Sequence, residues 1–515
     1  MNRYPLGIQT FEKIREENLF YVDKTDLIYN IVKGSQNNFL SRPRRFGKSL
    51  LVTTMQAYFE GKKDLFKGLA IEKLEKEWVK YPVIHIDLSS GKYYEVQRIM
   101  STLDFLLSRY ELKYDITPRD LSGFGDRFNN IIQTAAAQTG QKVVVLIDEY
   151  DAPMLDSNAK PELQEQIRSI MRDFFSPLKA NEGLLRFVFL TGITKFSQLS
   201  IFSELNNIKN YSLDDEYGAI CGFTQEEILS TFHEGIREMA KANGLTTEQT
   251  VARMKEQYDG YRFTPHCPNI YNPYSVLNAL HDKKFSNYWF ATGTPTFLLE
   301  LLIKNDIEMP QLEGIVATED QFDSPTDNIG NPIPVLYQSG YLTIKDYDEG
   351  IYTLGYPNEE VRMGLNRSML NYIAPQYGLK TTAFAAQFRA AMRKDDIDTA
   401  MKVLQSFLAA FPYDIHHNRE DYFQAILFTI FITLGFTIHA EVKTARGRID
   451  LLISTKTTIF VMELKIDQSA AKALEQIDAK DYTLPYKHDG RRVFKVGINF
   501  STEKRTVDEW RYEEA

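Results

Sequence analysis

Near the C-terminus, two short apolar segments carry charged residues at a spacing suited to metal-dependent cleavage of a phosphodiester. Asp450 lies in the first segment, Arg448–Ser454, and Glu463 and Lys465 lie in the second, Ile459–Ile466. Both segments are typical of β-strands joined by a short polar turn. Two carboxylates can hold Mg²⁺, or Mn²⁺, through their oxygens, and a metal-bound water is a better nucleophile. A nearby lysine can orient that water or offset charge that develops on the phosphate.

The pairing of these two strands decides whether the three side chains meet. If the centre of the hairpin lies between Lys456 and Thr457, Asp450 falls directly opposite Glu463, and Lys465 projects from the same face. Like charges that face each other destabilise a sheet, and buried charges need a partner or a metal ion. We therefore predict a divalent-metal site at Asp450 and Glu463, with a solvated surface hairpin as the alternative.

Two residues on neighbouring helices are candidates to support this site. Glu420 lies in the segment Arg419–Leu434, whose pattern predicts a helix that would bring a third acid toward the metal. Gln476 lies on the helix expected after Lys465. The role of Glu441, another acid close to the first strand, stays open.

A second segment with chemical potential lies near the N-terminus, between a predicted strand and a predicted helix. It reads Ser41-Arg42-Pro43-Arg44-Arg45-Phe46-Gly47-Lys48-Ser49. This is the context of a phosphate-binding loop, in which backbone amides at a helix N-terminus face negative charge. Gly47 would let the backbone approach the phosphates, Lys48 would reach the β- and γ-phosphates, and Ser49 would hold Mg²⁺.

One residue of this loop departs from the usual pattern. Arg42 stands where glycine is expected, and arginine adopts positive φ at a higher cost than glycine does. We therefore expect a loop of different shape, in which Arg44 and Arg45 contact phosphate directly.

Polar residues also follow two later apolar strands. The strand Val143–Ile147 ends in Asp148 and Glu149. Asp148 would orient the Mg²⁺ ligands, and Glu149 would activate the attacking water. A further strand ends at Thr191, which would sense the γ-phosphate. Taken alone, Gly47-Lys48-Ser49 could be an ordinary capped helix N-terminus, and Asp148-Glu149 could be a solvated strand end. The loop, the acidic strand end and the third polar-ended strand occur in the order of an ATP site, and together they predict one.

The elements that position these residues follow from periodicity. Over the first ~210 residues, short apolar strands alternate with amphipathic helices, which predicts a parallel sheet with helices on both faces. The strands are predicted at Asn38–Leu40, Val83–Leu88, Val143–Ile147 and Phe187–Leu190. The fold class is therefore a multidomain α/β protein. The predicted domains are a P-loop core at 1–210, a helical lid at 211–304, a region with a linker, a hairpin and helices at 305–411, and a nuclease-like α/β domain at 412–515. In the third region, Asp320–Pro334 is expected to be a loop or linker, and Val335–Lys345 and Gly350–Leu354 are expected to form the two strands of the hairpin.

Composition limits the possible environments and partners. The net charge of −9 argues against a protein that coats nucleic acid along its whole surface. Residues 415–515 carry equal numbers of basic and acidic side chains, and a local basic run there could still hold a nucleic acid, at Lys487, Arg491, Arg492 and Lys495. The two cysteines, Cys221 and Cys267, form no disulfide or zinc pattern and suit a reducing compartment. The longest apolar run, Ala425–Ile438, is too short to span a membrane. We expect a cytoplasmic protein without a membrane partner.

These motifs resemble those of a known family. The N-terminal part is similar to the bacterial AAA-ATPase-like family, whose loop is typically rich in arginine, and the C-terminal part is similar to the PD-(D/E)XK nuclease superfamily domain usually fused to it. The resemblance rests on Tyr21–Thr25, Arg42–Ser49, Leu146–Asp151, Tyr258–Phe263, Tyr271–Tyr274, Leu336–Leu342, Gly447–Asp450, Glu463–Lys465, Ala473–Ile477 and Tyr482. It implies a P-loop ATPase core, a helical lid and a restriction-endonuclease-like fold.

The sequence therefore predicts a protein that binds and hydrolyses ATP and cleaves nucleic acid with Mg²⁺, with DNA favoured over RNA. A homo-oligomer is consistent with this prediction, and an arginine finger cannot be assigned. The alternative belongs to another class, an ATP-switched module that binds nucleic acid or protein through an inactive nuclease fold. A role in defence or in the processing of mobile DNA follows by analogy only.

Overall fold

Four strands predicted in the N-terminal part lie side by side in one parallel sheet, together with a fifth short strand. The strands are β1 (Asn37–Ser41), β2 (Val83–Asp87), β3 (Val143–Asp148), β4 (Leu185–Gly192) and β5 (Lys209–Asn210), in the order β2-β3-β4-β1-β5. Every residue of β3 is buried. A strand that is covered on both faces has apolar side chains at every position. This is why Val143–Ile147 shows no alternation of apolar and polar residues.

This computed structural model describes residues 3–116, 123–157, 160–195, 208–290, 296–305, 307, 309–324, 331–373, 378–408, 427, 429–431, 437–444, 446–455, 457–504 and 506–515. The chain divides into two compact units, one of residues 1–291 and 316–359 and the other of residues 292–315 and 360–515. The boundaries of the four domains expected from the sequence stay predictions. Within the described ranges, no helix has both the length and the apolar character needed to cross a bilayer.

Helices precede and connect the strands of the parallel sheet. They are α1 (Phe11–Glu16), α2 (Thr25–Lys33), α3 (Lys48–Phe59), α4 (Ala70–Leu74), α5 (Val96–Lys113), α6 (Phe124–Thr139), α7 (Ala152–Ser157), α8 (Pro161–Phe175) and α9 (Pro177–Ala180). Alternate residues of β3, such as Val145 and Ile147, share one core with α5, α6 and α8, while α3 also packs on β3. The predicted parallel sheet flanked by helices is confirmed.

The rest of the first unit is mostly helical and contains a small three-stranded sheet. Its helices are α10 (Gln225–Thr231), α11 (His233–Asn243), α12 (Thr247–Tyr258), α13 (Pro273–Asp282), α15 (Glu319–Phe322) and α16 (Ile333–Gln338), with α14 (Thr296–Lys304) belonging to the second unit. The sheet has the order β6-β8-β7, with β6 (Ile315–Thr318), β7 (Thr343–Asp348) and β8 (Ile351–Gly355). The tyrosines Tyr258, Tyr261 and Tyr271 are buried, as expected for core aromatics.

Two local expectations for this region were wrong. The strand expected over Val335–Lys345 begins only at Thr343, because Ile333–Gln338 is helical and proline at its first positions presets a helical φ. The segment Asp320–Pro334, expected to be a loop, begins inside α15, whose N-terminus is closed by a capping box from Thr318.

The second unit is built on a mixed five-stranded sheet. Its order is β13-β12-β11-β10-β9, formed by β9 (Thr437–Thr444), β10 (Gly447–Ser454), β11 (Thr458–Ile466), β12 (Arg492–Ser501) and β13 (Thr506–Glu514). Only β11 and β12 pair in parallel, and helix α20 (Ala470–Ala479) connects them and packs on both. Further helices described in this unit are α17 (Glu359–Ile373), α18 (Gly378–Met392) and α19 (Ile397–Leu408). Glu420 lies outside the described residues.

Candidate nucleotide-binding and nuclease sites

The phosphate loop joins the end of β1 to the start of α3. Ser41 is the last residue of β1 and Lys48 the first of α3, so the loop comprises the residues between them. Arg45 and Gly47 have left-handed backbones, with φ of 70° and 97°, whereas Arg42 does not. The glycine nearest the helix therefore supplies the main turn, and the arginine at the usual glycine position keeps an ordinary backbone.

Lys48 is the centre of the charged groups at this edge of the sheet. Its side chain is only 3% exposed. Its amine lies 3.2 Å from Oε1 of Glu149 and donates to the carbonyl of Pro43 at 3.3 Å. Because Glu149 directly follows β3, the parallel arrangement of β1 and β3 in one sheet brings the loop lysine and the proposed base together.

The carboxyl group of Asp148 lies in the surroundings of Ser49 and Lys48. Asp148 is buried, and burial together with Glu149 raises its pKa to about 7, while Ser49 and Lys48 act in the opposite direction. The backbone amide of Glu149 also donates to Oδ1 of Asp148 at 3.0 Å. A buried carboxyl group next to a hydroxyl fits the oxygen ligands that Mg²⁺ prefers, because a cation would stabilise the charged form of the acid.

Asp151, three residues after Asp148, links the ends of β3 and β4. Its fully buried Oδ2 accepts from the amides of Ile193 and Thr194, at 2.9 and 2.7 Å, and from the Thr194 hydroxyl at 2.8 Å. The hydroxyl of Tyr150 donates to the Thr194 carbonyl at 2.8 Å. Burial raises the pKa of Asp151 to about 6. Sequence reasoning assigned no role to Asp151, although the acidic spacing of Asp-Glu-Tyr-Asp was a signal.

The remaining candidates for the nucleotide site occupy different surroundings. Thr191 is buried in β4, and its hydroxyl donates to the Leu40 carbonyl at 2.8 Å, so its role as a γ-phosphate sensor stays a prediction. Arg44 and Arg45 are exposed. The guanidinium of Arg45 lies 4.8 Å from the centre of the Tyr274 ring. Direct phosphate contact by the two arginines also stays a prediction.

The terminal hairpin has the register expected from its sequence. Leu451 pairs with Met462 and Ser454 with Ile459, so the centre of the hairpin lies between residues 456 and 457. Continuing that register by one residue places Asp450 opposite Glu463.

Regular backbone pairing of β10 and β11 ends at Leu451 and Met462. Beyond this pair, the side-chain carboxylate of Asp450 makes the next hydrogen bond to β11. Oδ2 of Asp450 accepts from the backbone amide of Leu464 at 2.8 Å. This bond holds the aspartate side chain against β11, beside Glu463.

Lys465 and Glu463 form a buried ion pair on the same strand. The amine of Lys465 lies 3.0 Å from Oε1 of Glu463, and only 1% of the Glu463 side chain is exposed. The Lys465 amine also donates to the Leu464 carbonyl at 3.0 Å. Two carboxylates and one ammonium group therefore gather where β10 and β11 separate, a set that fits a divalent ion retaining several waters.

Helix α20 and Tyr482 fix the surroundings of this group. Gln476 is half-buried on α20, which packs on β11 and β12. Tyr482 is buried, and its hydroxyl accepts from the backbone amide of Arg448 at 3.1 Å, which anchors the start of β10. In the part of the chain that the structure describes, no three His, Cys, Asp or Glu side chains form a metal-binding cluster.

The basic residues expected to offer a nucleic-acid contact are largely paired with acids. Arg491 binds Asp489, Arg492 binds Glu514 at 2.8 Å, and Lys495 binds Asp478 at 2.7 Å. Their charges are locally balanced, which weakens this run as a phosphate-binding surface.

A phosphate loop after one strand of a parallel sheet, with two adjacent acids at the end of another strand of that sheet, defines a P-loop NTPase. A mixed sheet with Asp450, Glu463 and Lys465 on adjacent strands has the character of a nuclease domain. The family model described as "Predicted AAA-ATPase" matches residues 5–202, and that of the "PD-(D/E)XK nuclease superfamily" matches residues 418–510.

A relative from Azotobacter chroococcum mcd 1 is similar in sequence to nearly the whole of this chain. It is described as "Uncharacterized protein in vnfD 5'region" and is 32% identical over 519 residues, which cover 98% of each chain. The chain belongs to this family, in which a predicted AAA-ATPase carries a C-terminal PD-(D/E)XK nuclease superfamily domain. The resemblance inferred from the motifs is thereby confirmed.

Solved structures give only distant similarity. The ORC2 protein of Aeropyrum pernix, in ADPNP and ADP complexes, is 10% identical with a TM-score of 0.26, covering 67% of this chain and 93% of that one. The ORC1 protein of the same organism, in complex with DNA, is 10% identical with a TM-score of 0.23, covering 66% and 90%. CDC6P from Pyrobaculum aerophilum is 10% identical with a TM-score of 0.24, covering 69% and 96%. These scores are too low to support an argument.

Proposed function

We propose that this protein binds and hydrolyses ATP and that nucleotide turnover controls Mg²⁺-dependent cleavage of nucleic acid. The observation that carries the proposal is the gathering of Asp450, Glu463 and Lys465 beside one strand end, in a chain that also brings Lys48 to Glu149. Isolated charged residues at these positions would have supported neither activity.

In the ATPase half, each side chain has a role that its surroundings support. The amine of Lys48, directly after the loop, would bind the terminal phosphates of ATP. Ser49 and Asp148 would hold Mg²⁺, which neutralises phosphate charge when bound. Glu149 would then accept a proton from the attacking water, since its ion pair with Lys48 places its carboxylate beside the phosphate loop.

In the nuclease half, Asp450 and Glu463 would hold a divalent ion, Mg²⁺ or Mn²⁺, which polarises the scissile phosphate when bound. Lys465 is already directed at Glu463 and would orient the attacking water or stabilise the negative charge of the transition state. Gln476 and Glu420 remain candidates for supporting contacts. We favour DNA as the substrate and defence or processing of mobile DNA as the setting, the latter by analogy with fused ATPase–nuclease proteins.

A cleavage assay on the full chain tests this proposal. Single- and double-stranded DNA and RNA are incubated with Mg²⁺, with and without ATP, using the wild type and Lys48→Ala. We expect cleavage of at least one substrate, ATP hydrolysis by the wild type, and loss of both ATP hydrolysis and the ATP response in Lys48→Ala. Unchanged ATP turnover in Lys48→Ala contradicts the nucleotide assignment.

A second candidate is an ATP-switched binding module that does not cleave. It is favoured by the finding that the described residues bring together two carboxylates rather than three acidic ligands. Calorimetric titration with Mn²⁺ separates the two functions. An inactive nuclease fold binds no Mn²⁺ through Asp450, whereas the enzyme loses a binding event in Asp450→Asn.

A further inference from the structure

Arg42 is buried under the phosphate loop instead of facing a ligand. Its side chain is almost inaccessible to solvent, with 2% of the residue exposed. One guanidinium nitrogen, Nη1, donates to the carbonyls of Ser41 and Ser212, both at 2.9 Å. The other, Nη2, donates to the Tyr217 carbonyl at 3.1 Å. The guanidinium carbon also lies 4.4 Å from the centre of the Phe263 ring.

These contacts explain how a charged group is tolerated there. Burial lowers the pKa of Arg42, and burying a cation is costly unless hydrogen bonds and nearby negative charge compensate. Three carbonyl oxygens and the face of an aromatic ring provide that compensation. The planar guanidinium can satisfy several acceptors while stacking on a ring, whereas the compact ammonium of lysine cannot do both.

A second loop residue is held by the same part of the chain. The carbonyl of Phe46 accepts from the amide of Gly222 at 3.1 Å. The Phe46 ring meets the rings of Tyr261 and Phe263 edge-on, with centres 4.7 and 5.3 Å apart. Ser212, Tyr217, Gly222, Tyr261 and Phe263 therefore hold the inner side of the loop, and we call these five residues the loop clamp.

The loop is thus divided into an anchored side and an open side. Arg42 and Phe46 are buried against the loop clamp, while Arg44, Arg45 and Gly47 are exposed. An anchored inner side fixes the direction of the outer amides before a phosphate arrives, which lowers the ordering cost of binding.

We propose that Arg42 is a positioning residue, which sets the affinity for nucleotide by tying the phosphate loop to the loop clamp. The inference rests on the proposed nucleotide function and adds to it. Because Arg42 is buried on the anchored side of the loop and acts through the loop backbone, its loss changes binding far more than the chemical step. Since Phe263 stacks on Arg42, the two side chains act as one unit.

Equilibrium titration of the full chain with a fluorescent ATP analogue tests the inference, alongside steady-state ATP hydrolysis. For Arg42→Lys we expect the Kd to rise about tenfold or more while kcat changes less than about threefold. Phe263→Leu is expected to weaken binding similarly, and the double variant to bind about as weakly as the weaker single variant. Arg168→Lys, which alters another buried arginine, on α8, serves as the matched control and keeps wild-type affinity.

The outcomes separate this inference from the proposed function. If the wild type binds the analogue no better than Lys48→Ala does, the nucleotide function itself fails. If the wild type binds well and Arg42→Lys binds within about twofold of it, only the role of Arg42 is overturned. If Arg42→Lys does not fold, as judged by circular dichroism, Phe263→Leu decides the question, because an unchanged affinity in that variant overturns the inference. If the rise in Kd of the double variant equals the product of the rises in the two single variants, the inference is also contradicted, because the two side chains then act independently.

Discussion

The amine of Lys48 lies 3.2 Å from the carboxylate of Glu149, so the lysine proposed to bind phosphate and the proposed catalytic base form an ion pair. The terminal phosphates of ATP would compete with Glu149 for this amine. Binding of nucleotide would thereby release the carboxylate to accept a proton from water. The ion pair between Lys48 and Glu149 would therefore connect the binding of ATP with the availability of the base.

Glu149→Gln is expected to separate binding from hydrolysis. The amide keeps the size of the side chain but loses its charge and basicity, so ATP turnover falls about 100-fold or more. Affinity for ATP is retained or increases, because Lys48 no longer has an anionic competitor. Phosphate release and equilibrium binding measure the two effects. Glu162→Gln, at an exposed position of α8, is the control, and wild-type turnover in Glu149→Gln excludes the glutamate as the base.

Asp450→Asn is expected to abolish cleavage without disturbing the hairpin. An amide oxygen can still accept from the Leu464 amide, but it lacks the negative charge needed to hold a divalent ion. We expect the cleavage rate to fall at least about 100-fold, with an unfolding temperature close to that of the wild type.

The control for this prediction is Asp478→Asn, which removes a charge from the exposed side of α20 where Asp478 binds Lys495. It is expected to cleave at the wild-type rate. If purified Asp450→Asn cleaves at the wild-type rate, the nuclease activity belongs to another site in the chain or to a contaminant of the preparation.

Gly192→Ala tests the close approach of β4 to the segment after β3. A Cβ atom at Gly192 would lie 2.3 Å from Oδ1 of Asp151 and 2.8 Å from the Tyr150 ring. Overpacking of this kind destabilises proteins by about 1–3 kcal/mol, and here it would also displace Thr194 from Asp151. We expect a lower unfolding temperature and reduced ATP hydrolysis.

Gly183→Ala provides a comparison in the same unit, since a Cβ atom there would meet nothing within 4 Å. Its stability is expected to equal that of the wild type within about 0.5 kcal/mol. Equal effects of the two substitutions contradict the packing argument.

His85 is expected to make the protein less stable in mild acid. Burial lowers its pKa from the ordinary value of 6.5, Arg109 acts in the same direction, and Asp87 and Glu60 oppose the shift. Below pH 6.5 the unfolded chain binds a proton at this histidine that the folded protein does not. The free energy of unfolding therefore falls as the pH falls, by up to about 1.4 kcal/mol per pH unit from this group.

Chemical denaturation at pH 7.5 and 5.5 measures this contribution. His85→Gln is expected to lose less stability on acidification than the wild type does, whereas His233→Gln, at an exposed position, loses as much as the wild type. An identical acid response of the wild type and His85→Gln rejects the prediction.

The sequence by itself determined much of the architecture. The apolar run Val143–Ile147 and its partners predicted the parallel sheet, and the loop through Lys48 and Ser49 was identified because its composition and context are local. The register of the terminal hairpin was also predictable, because a short turn fixes the pairing of the strands on either side. The short helix at Ile333–Gln338 was missed because its apolar residues also fit a strand.

Only the tertiary structure decided where the unusual residues point. Arg42 was expected to change the loop, but its partners lie 170 and 175 residues further along the chain, at Ser212 and Tyr217. Asp151 reaches Thr194, 43 residues away, in the same manner. Periodicity and motif spacing describe neighbours along the chain, whereas a buried charge is satisfied by whichever distant backbone groups the packing brings within hydrogen-bonding distance.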